Sequence, residues 1–411
     1  MDDGWTTHFF GPRRRSRTAL TCALLSVALV AAANVDVPPA VASAVTTLHG
    51  DTVPTVDHLG PRTFTRPGPF AAGETTLVLP SDHADVEVFY PAPAGSARGH
   101  TPATYNVSAW LPPAIKALVP KNFNAGAYPT GAYRGLPVAP GRFPLVVFVH
   151  GYSGFRDQST FLTSWLARWG FVVVAPDLPD NDLTAVLSGH SAAGIGSDID
   201  EVASTVRLMG DKNDGAGMFH GHLDLGRVAA VGHSLGGAVS EGVAAADPRV
   251  TTFIGMAGAT VGSFGQTASG PTSVVPDKPG MLVVGTSDGI VQPATIATAF
   301  THMVRPKRLV TLHDFGHLVF ADICQIGKEQ GGLLAIAAAI HVSVPPMLKA
   351  LATDGCVPPD TPVTEGWPAI RQVVVAQLRH VFGFDRSLAG LTGLIPAFPG
   401  VVAANVYAGP H

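Results

Sequence analysis

The sequence predicts an α/β fold, a mostly parallel central sheet with helices on both faces, an insertion and a C-terminal extension. Two observations carry this prediction. Runs at 144–149, 171–175, 227–231, 252–255, 281–284 and 308–312 are short, continuous and apolar, as are strands covered on both faces of a parallel sheet. Helical patterns at 158–169, 197–209, 235–246 and 293–303 lie between them, and such alternation is the mark of an open sheet with helices packed on it.

Two leading strands are predicted at 75–79 and 85–90, the second placing Val86, Val88 and Tyr90 on one face. In the helix at 197–209, Ile199, Val202, Val206 and Met209 recur at three- and four-residue steps, with Ser197 read as the N-cap. Three stretches break the alternation. Residues 99–142, rich in Pro, Gly and Tyr, are expected to wrap the sheet edge, and 259–279 reads as a Gly/Ser/Thr loop. The third, 327–365, holds an almost uncharged segment, 331–351, interrupted by Pro345 and Pro346. It is either a cap over a site or a pair of core helices.

Composition excludes other classes. Gly and Pro make up 81 of 411 residues, short of the roughly 25–30% of low-complexity chains, and 46% hydrophobic residues are too many for a disordered one. Only 14% of residues are charged, the formal net charge is -4, and no dense basic stripe lies outside the N-terminus. A nucleic-acid partner therefore has no electrostatic footing. At about 150 residues per domain the length suggests two or three domains, but the continuous alternation favours one enlarged domain.

The N-terminus has the organisation of an export signal. Arg13, Arg14, Arg15 and Arg17 precede an uncharged apolar run at 18–33, followed by Ala42-Ser43-Ala44, a small-residue cleavage pattern. The run is shorter than the roughly 20 residues needed to span a bilayer. Cleavage after Ala44 is expected, giving a secreted or cell-envelope protein with 22 basic and 27 acidic residues. The catalytic domain is then expected at 45–365 with a candidate cap at 327–360, and 366–411 as a C-terminal helix and extension packed on it. Cys22 leaves with the signal, so Cys324 and Cys356 remain and are read as one disulfide of an oxidising compartment.

The chemistry centres on Gly232-His233-Ser234-Leu235-Gly236, directly after a predicted strand and before a predicted helix. This is the G-x-S-x-G elbow in its diagnostic setting, where a serine on a sharp turn holds its hydroxyl clear of the chain. A serine nucleophile needs a base, and the base an orienting acid, each at the end of a later strand. Asp288 follows the strand at 281–284 and His317 the strand at 308–312. Their rivals, Asp314 and His313, are read as a turn cap and a surface residue. The oxyanion donors are assigned to the backbone N–H groups of Leu235 and of Tyr152, the latter in the loop His150-Gly151-Tyr152-Ser153-Gly154 after the first parallel strand. His220-Gly221-His222 lacks the frame of a metal site, and no phosphate-binding glycine loop is present.

At these motifs, together with Asp85-Val-Glu-Val-Phe-Tyr-Pro91, Phe155-Arg156 and Gly316-His317, the chain resembles an α/β-hydrolase branch. That branch holds the platelet-activating-factor acetylhydrolases, chlorophyllases, dienelactone hydrolases and cutinase-like polyester hydrolases. The similarity runs over about 75 to 325. It implies a serine carboxylesterase with Ser234, Asp288 and His317 as triad and no cofactor, and it lays the Tyr152 ring against the acyl group. The chain departs by having Met256-Ala257-Gly258-Ala259 where relatives carry a Trp, which argues against an aromatic-clamping polyesterase.

The expected activity is hydrolysis of a small-molecule or lipid-like ester by a monomer, with transient contact to a lipid surface. A lipase with an apolar lid, a secreted acyltransferase and a non-catalytic binding protein on the same scaffold are the alternatives.

Overall fold

The computed structural model describes residues 53–120, 127–189, 194–260 and 275–410. The export segment and most of the predicted loop at 259–279 lie outside the described residues. The strands are β1 (Ala71–Val78), β2 (Asp85–Ala92), β3 (Thr104–Asn106), β4 (Ala127–Pro129), β5 (Tyr133–Arg134), β6 (Phe143–Val149), β7 (Val172–Pro176), β8 (Leu223–His233), β9 (Val250–Met256), β10 (Gly280–Gly285), β11 (Lys307–Leu312) and β12 (Val402–Ala408). The helices are α1 (Pro113–Lys116), α2 (Thr160–Arg168), α3 (Leu183–Leu187), α4 (Gly196–Asp214), α5 (Leu235–Ala246), α6 (Pro293–His302), α7 (Leu333–Ala339), α8 (Pro346–Leu351), α9 (Val363–Val381) and α10 (Leu394–Ala397).

Among the described residues, ten strands form one sheet in the order β12-β11-β10-β9-β8-β6-β7-β2-β1-β5, and β3 and β4 pair apart from it. The stretch from β7 through β6, β8, β9 and β10 to β11 is parallel, whereas β2 is antiparallel to β7 and β1, and β12 to β11. The β-branched runs lie in the middle because a strand there is covered on both faces. Along β6 the faces alternate: Val146 and Phe148 pack with Ile370 and Val374 of α9, while Leu145, Val147 and Val149 pack with Val202 of α4 and Val239 of α5.

One local reading is corrected. α4 starts at Gly196 after Ile195, and no side chain caps it, so Ser197 lies inside the first turn and is not the N-cap. The chain beyond 365 does more than pack on the domain. It finishes α9 and returns as β12, which extends the sheet past β11, and the buried Arg308 guanidinium bonds Asn405 Oδ1 at 2.8 Å across that seam. The segment at 99–142 supplies β3, β4 and the edge strand β5. All the described residues fall in one compact unit, Val45–His411.

Register sets the site. Val149 of β6 pairs with Gly232 of β8, Gly232 with Gly255 of β9, and Gly285 of β10 with Leu312 of β11. The carboxyl ends of these strands are therefore level, and their following loops converge at the edge where open α/β sheets bind ligands.

The helical layer contains acids that favour their neutral forms. Burial pushes the carboxyl of Asp198 up to about 7, though Asn181 Nδ2 donates to it at 2.7 Å, and burial with the neighbouring Asp82 pushes Glu201 up to about 8. Their unfolded values lie near 4, so folding takes up protons between these limits. This stabilisation is complete below about pH 4 and is lost as pH rises through about 7 to 8. The thermal midpoint is expected to be higher at pH 5.5 than at pH 8, with a smaller difference in Asp198→Asn/Glu201→Gln. A midpoint that rises between those pH values would contradict the account.

Candidate active site

β8 runs to His233 and α5 starts at Leu235, leaving Ser234 alone on the turn at φ 59° and ψ −124°. A non-glycine residue at positive φ costs roughly 1–3 kcal/mol, and only a surrounding structure that over-determines it keeps it there. Here the Ser234 N–H donates to the Met256 carbonyl at 2.8 Å, and the Gly237 N–H to the Ser234 carbonyl at 2.9 Å. Gly236 allows the closest approach: a Cβ there would lie 2.1 Å from the Val149 carbonyl oxygen and 2.4 Å from that of His150. The elbow is thus pressed on the end of β6.

The loop after β6 is fixed by a neutral histidine. His150 is fully buried, and its Nδ1 donates to the Gly151 carbonyl at 2.8 Å while its Nε2 accepts the Leu178 N–H at 3.1 Å. Burial lowers its pKa below the ordinary imidazole range, so this tautomer persists. Ser153 N–H donates to Asn181 O, and Gly154 N–H to Gly151 O. Tyr152, half-buried between them, lines the same cavity as Ser234. In the loops and turns of the described residues the backbone N–H groups of Tyr152 and Leu235 donate to no backbone carbonyl, as a pair of oxyanion donors requires.

The structure brings Asp288 and His317 together. The imidazole Nδ1 lies 2.9 Å from Asp288 Oδ2 and 3.1 Å from Oδ1, with both side chains withdrawn from water. Oδ1 also accepts the N–H groups of Ile290 at 3.0 Å and Val291 at 2.8 Å. With Nδ1–H donating to the carboxylate, Nε2 is left as an acceptor. It is buried and has no partner among the described residues. His317 is 1% exposed and opens a single helical turn, His317–Phe320, so the imidazole is held in a buried turn. His313 and Asp314 pair with each other at 3.1 Å on the surface.

Three further residues hold this unit and were not read from the sequence. Gln158 Nε2 donates to His233 Nδ1 at 3.2 Å, and His233 Nε2 donates to the His317 carbonyl at 3.1 Å. Burial, then the adjacent His317, pull the pKa of His233 well below the ordinary imidazole range. Asp354 accepts the His317 backbone N–H. These partners lie 75, 84 and 37 positions apart, so no local pattern announces them; only the position of His233 inside the elbow was a signal.

Ser234 and His317 line a cavity of about 160 Å³ whose walls are almost wholly apolar. Val107, Leu111 and Ile115 form one side, Leu183 and Leu187 of α3 another, and 333–352 supplies Ile336, Ile340 and Leu348 among others. The almost uncharged segment 331–351 is therefore a wall of the site. Cys324 and Cys356 are joined in a disulfide that closes the base of this segment.

An elbow serine at the carboxyl end of β8, with a carboxylate–imidazole pair after β10 and β11, is the arrangement of an α/β-hydrolase fold. The Chlorophyllase family model matches residues 114–258, about a third of the chain, including the loop after β6 and the elbow. Among solved structures, the ferulic acid esterase from Streptomyces cinnamoneus matches with a TM-score of 0.54 and 22% identity, over 82% of this chain and 96% of that chain. No curated protein matches.

The contact of Gly236 with the end of β6 yields a prediction. Overpacking of this kind costs about 1–3 kcal/mol, and a large domain loses about 2–4 °C per kcal/mol, so Gly236→Ala is expected to melt several degrees below wild type. An unchanged midpoint would mean that the elbow and the loop after β6 are not pressed together.

Proposed function

We propose that the protein is an exported serine carboxylesterase that works through an acyl-enzyme on Ser234. The observation that carries this is the buried Asp288–His317 pair, its Nε2 unpartnered among the described residues, on the wall of the apolar cavity that Ser234 also lines. Nε2 of His317 takes the Ser234 proton as Oγ attacks the ester carbonyl, and Asp288 holds the imidazole and stabilises its charged form. The N–H groups of Tyr152 and Leu235 bind the oxyanion. The alcohol leaves with the proton from Nε2, and water, deprotonated by the same nitrogen, releases the acid. None of these steps requires a cofactor.

The cavity walls favour an ester with an apolar acyl or alcohol group, since they offer few polar partners and desolvating an unpaired polar group is costly. The ferulic acid esterase match supports ester chemistry. Export is supported by the Arg cluster, the apolar run and the Ala42-Ser43-Ala44 pattern, and the Cys324–Cys356 bridge suits an oxidising compartment. A lipase is the second reading, favoured by α7 and α8 over the cavity and by Met347 of α8, 55% exposed on the surface.

A panel of p-nitrophenyl esters from acetate to palmitate tests both readings. Turnover is expected in wild type, with Ser234→Ala lowering kcat on the order of 10⁴-fold or more. A lipase would prefer the long chains and be activated at an interface. Turnover that survives Ser234→Ala would overturn the mechanism.

A further inference from the structure

The loops that carry the acid and the base meet a third segment, the end of the cap. Asp354 follows α8 by three residues and precedes the disulfide residue Cys356 by two. One carboxylate oxygen accepts the backbone N–H of His317, and the other accepts the backbone N–H of Gly289, next to Asp288, at 3.0 Å. The Asp354 carbonyl accepts the Leu318 N–H at 3.0 Å. A single residue therefore bonds both triad loops.

The sequence makes room for this contact on both sides. A Cβ at Gly289 would lie 2.6 Å from Asp354 Oδ2, and a Cβ at Gly316 would lie 2.4 Å from the Gly355 nitrogen. Both glycines adjoin a triad residue, Asp288-Gly289 and Gly316-His317. Gly355 N–H in turn donates to Asp360 at 3.0 Å, and the Cys324–Cys356 bridge ties this turn to the chain just beyond His317.

We propose that Asp354 is a positioning residue of the triad, its carboxylate clamping the His317 loop to the Asp288 loop, and that the Cys324–Cys356 bridge holds that carboxylate in place. The proposal rests on the esterase reading above. Asp354 does not itself line the cavity and meets His317 only at its backbone, so it acts on the geometry of the acid–base pair and not on substrate binding. Misplacing a catalytic group by about 1 Å can cost on the order of 10²-fold. The cap that lines the substrate cavity is thereby anchored to the catalytic pair at one point.

The test measures kcat and KM on a p-nitrophenyl ester for Asp354→Ala, Asp354→Asn and Ser234→Ala, with thermal melting to establish folding. Asp354→Asn is nearly isosteric: it keeps one acceptor and sets an N–H₂ group against the other amide. The expected result is a kcat about 10- to 100-fold lower in Asp354→Ala with KM within about twofold, and an intermediate kcat in Asp354→Asn. Replacing both cysteines by serine is expected to lower kcat in the wild-type background and to add little in the Asp354→Ala background, because coupled groups are not additive. Wild-type kcat in folded Asp354→Ala or Asp354→Asn, with Ser234→Ala inactive, would overturn the assignment of Asp354 alone. Equal losses from the cysteine change in both backgrounds would overturn the role of the bridge. Turnover unaffected by Ser234→Ala would remove the esterase reading and this proposal with it.

Discussion

A carboxylate and an imidazole shut away from water, 2.9 Å apart at the ends of β10 and β11, form the contact on which the site depends. An ionised carboxylate is costly to bury unless it is paired and hydrogen-bonded. Asp288 meets that condition with His317 and two backbone amides. The pairing assigns the tautomer of His317 and so leaves Nε2 as the acceptor that a serine hydroxyl requires. The surrounding neutral histidines follow the same logic: His150 holds the loop after β6 and His233 the carbonyl of His317, each with both ring nitrogens engaged.

The centre of the sheet was legible because strands covered on both faces carry continuous apolar runs, as in β6, β7 and β10. β12 was not. It is an edge strand with only Val402 buried, and its run of Ala and Asn carries no strand signal of its own. The N-cap of α4 was misplaced for a related reason, since helix ends are decided by what they dock on and Ser197 is only one of several residues able to cap. The elbow was readable because it packs a turn, two glycines and a serine into five consecutive residues. Gln158 and Asp354 were not, because each reaches the site through a contact between distant parts of the chain.

The cap illustrates what a sequence leaves undecided. An almost uncharged segment with two prolines suits a buried helix pair and a cavity wall equally well. What distinguishes them is the disulfide, which draws the base of the segment against the turn that carries His317, and the apolar cavity left beneath α7 and α8. In the proposed enzyme the low charge of the chain then has a local meaning as well as a global one: the walls that meet the substrate contain no Asp, Glu, Lys or Arg.

The central claim is that Ser234 is made nucleophilic by this buried pair. Its most direct test is to treat the purified protein with a fluorophosphonate and map the adduct by peptide mass spectrometry. The account predicts a single adduct on the peptide that contains Ser234, lost when His317 is replaced by alanine. An adduct on another serine, or none on an enzyme that still turns over esters, would contradict it.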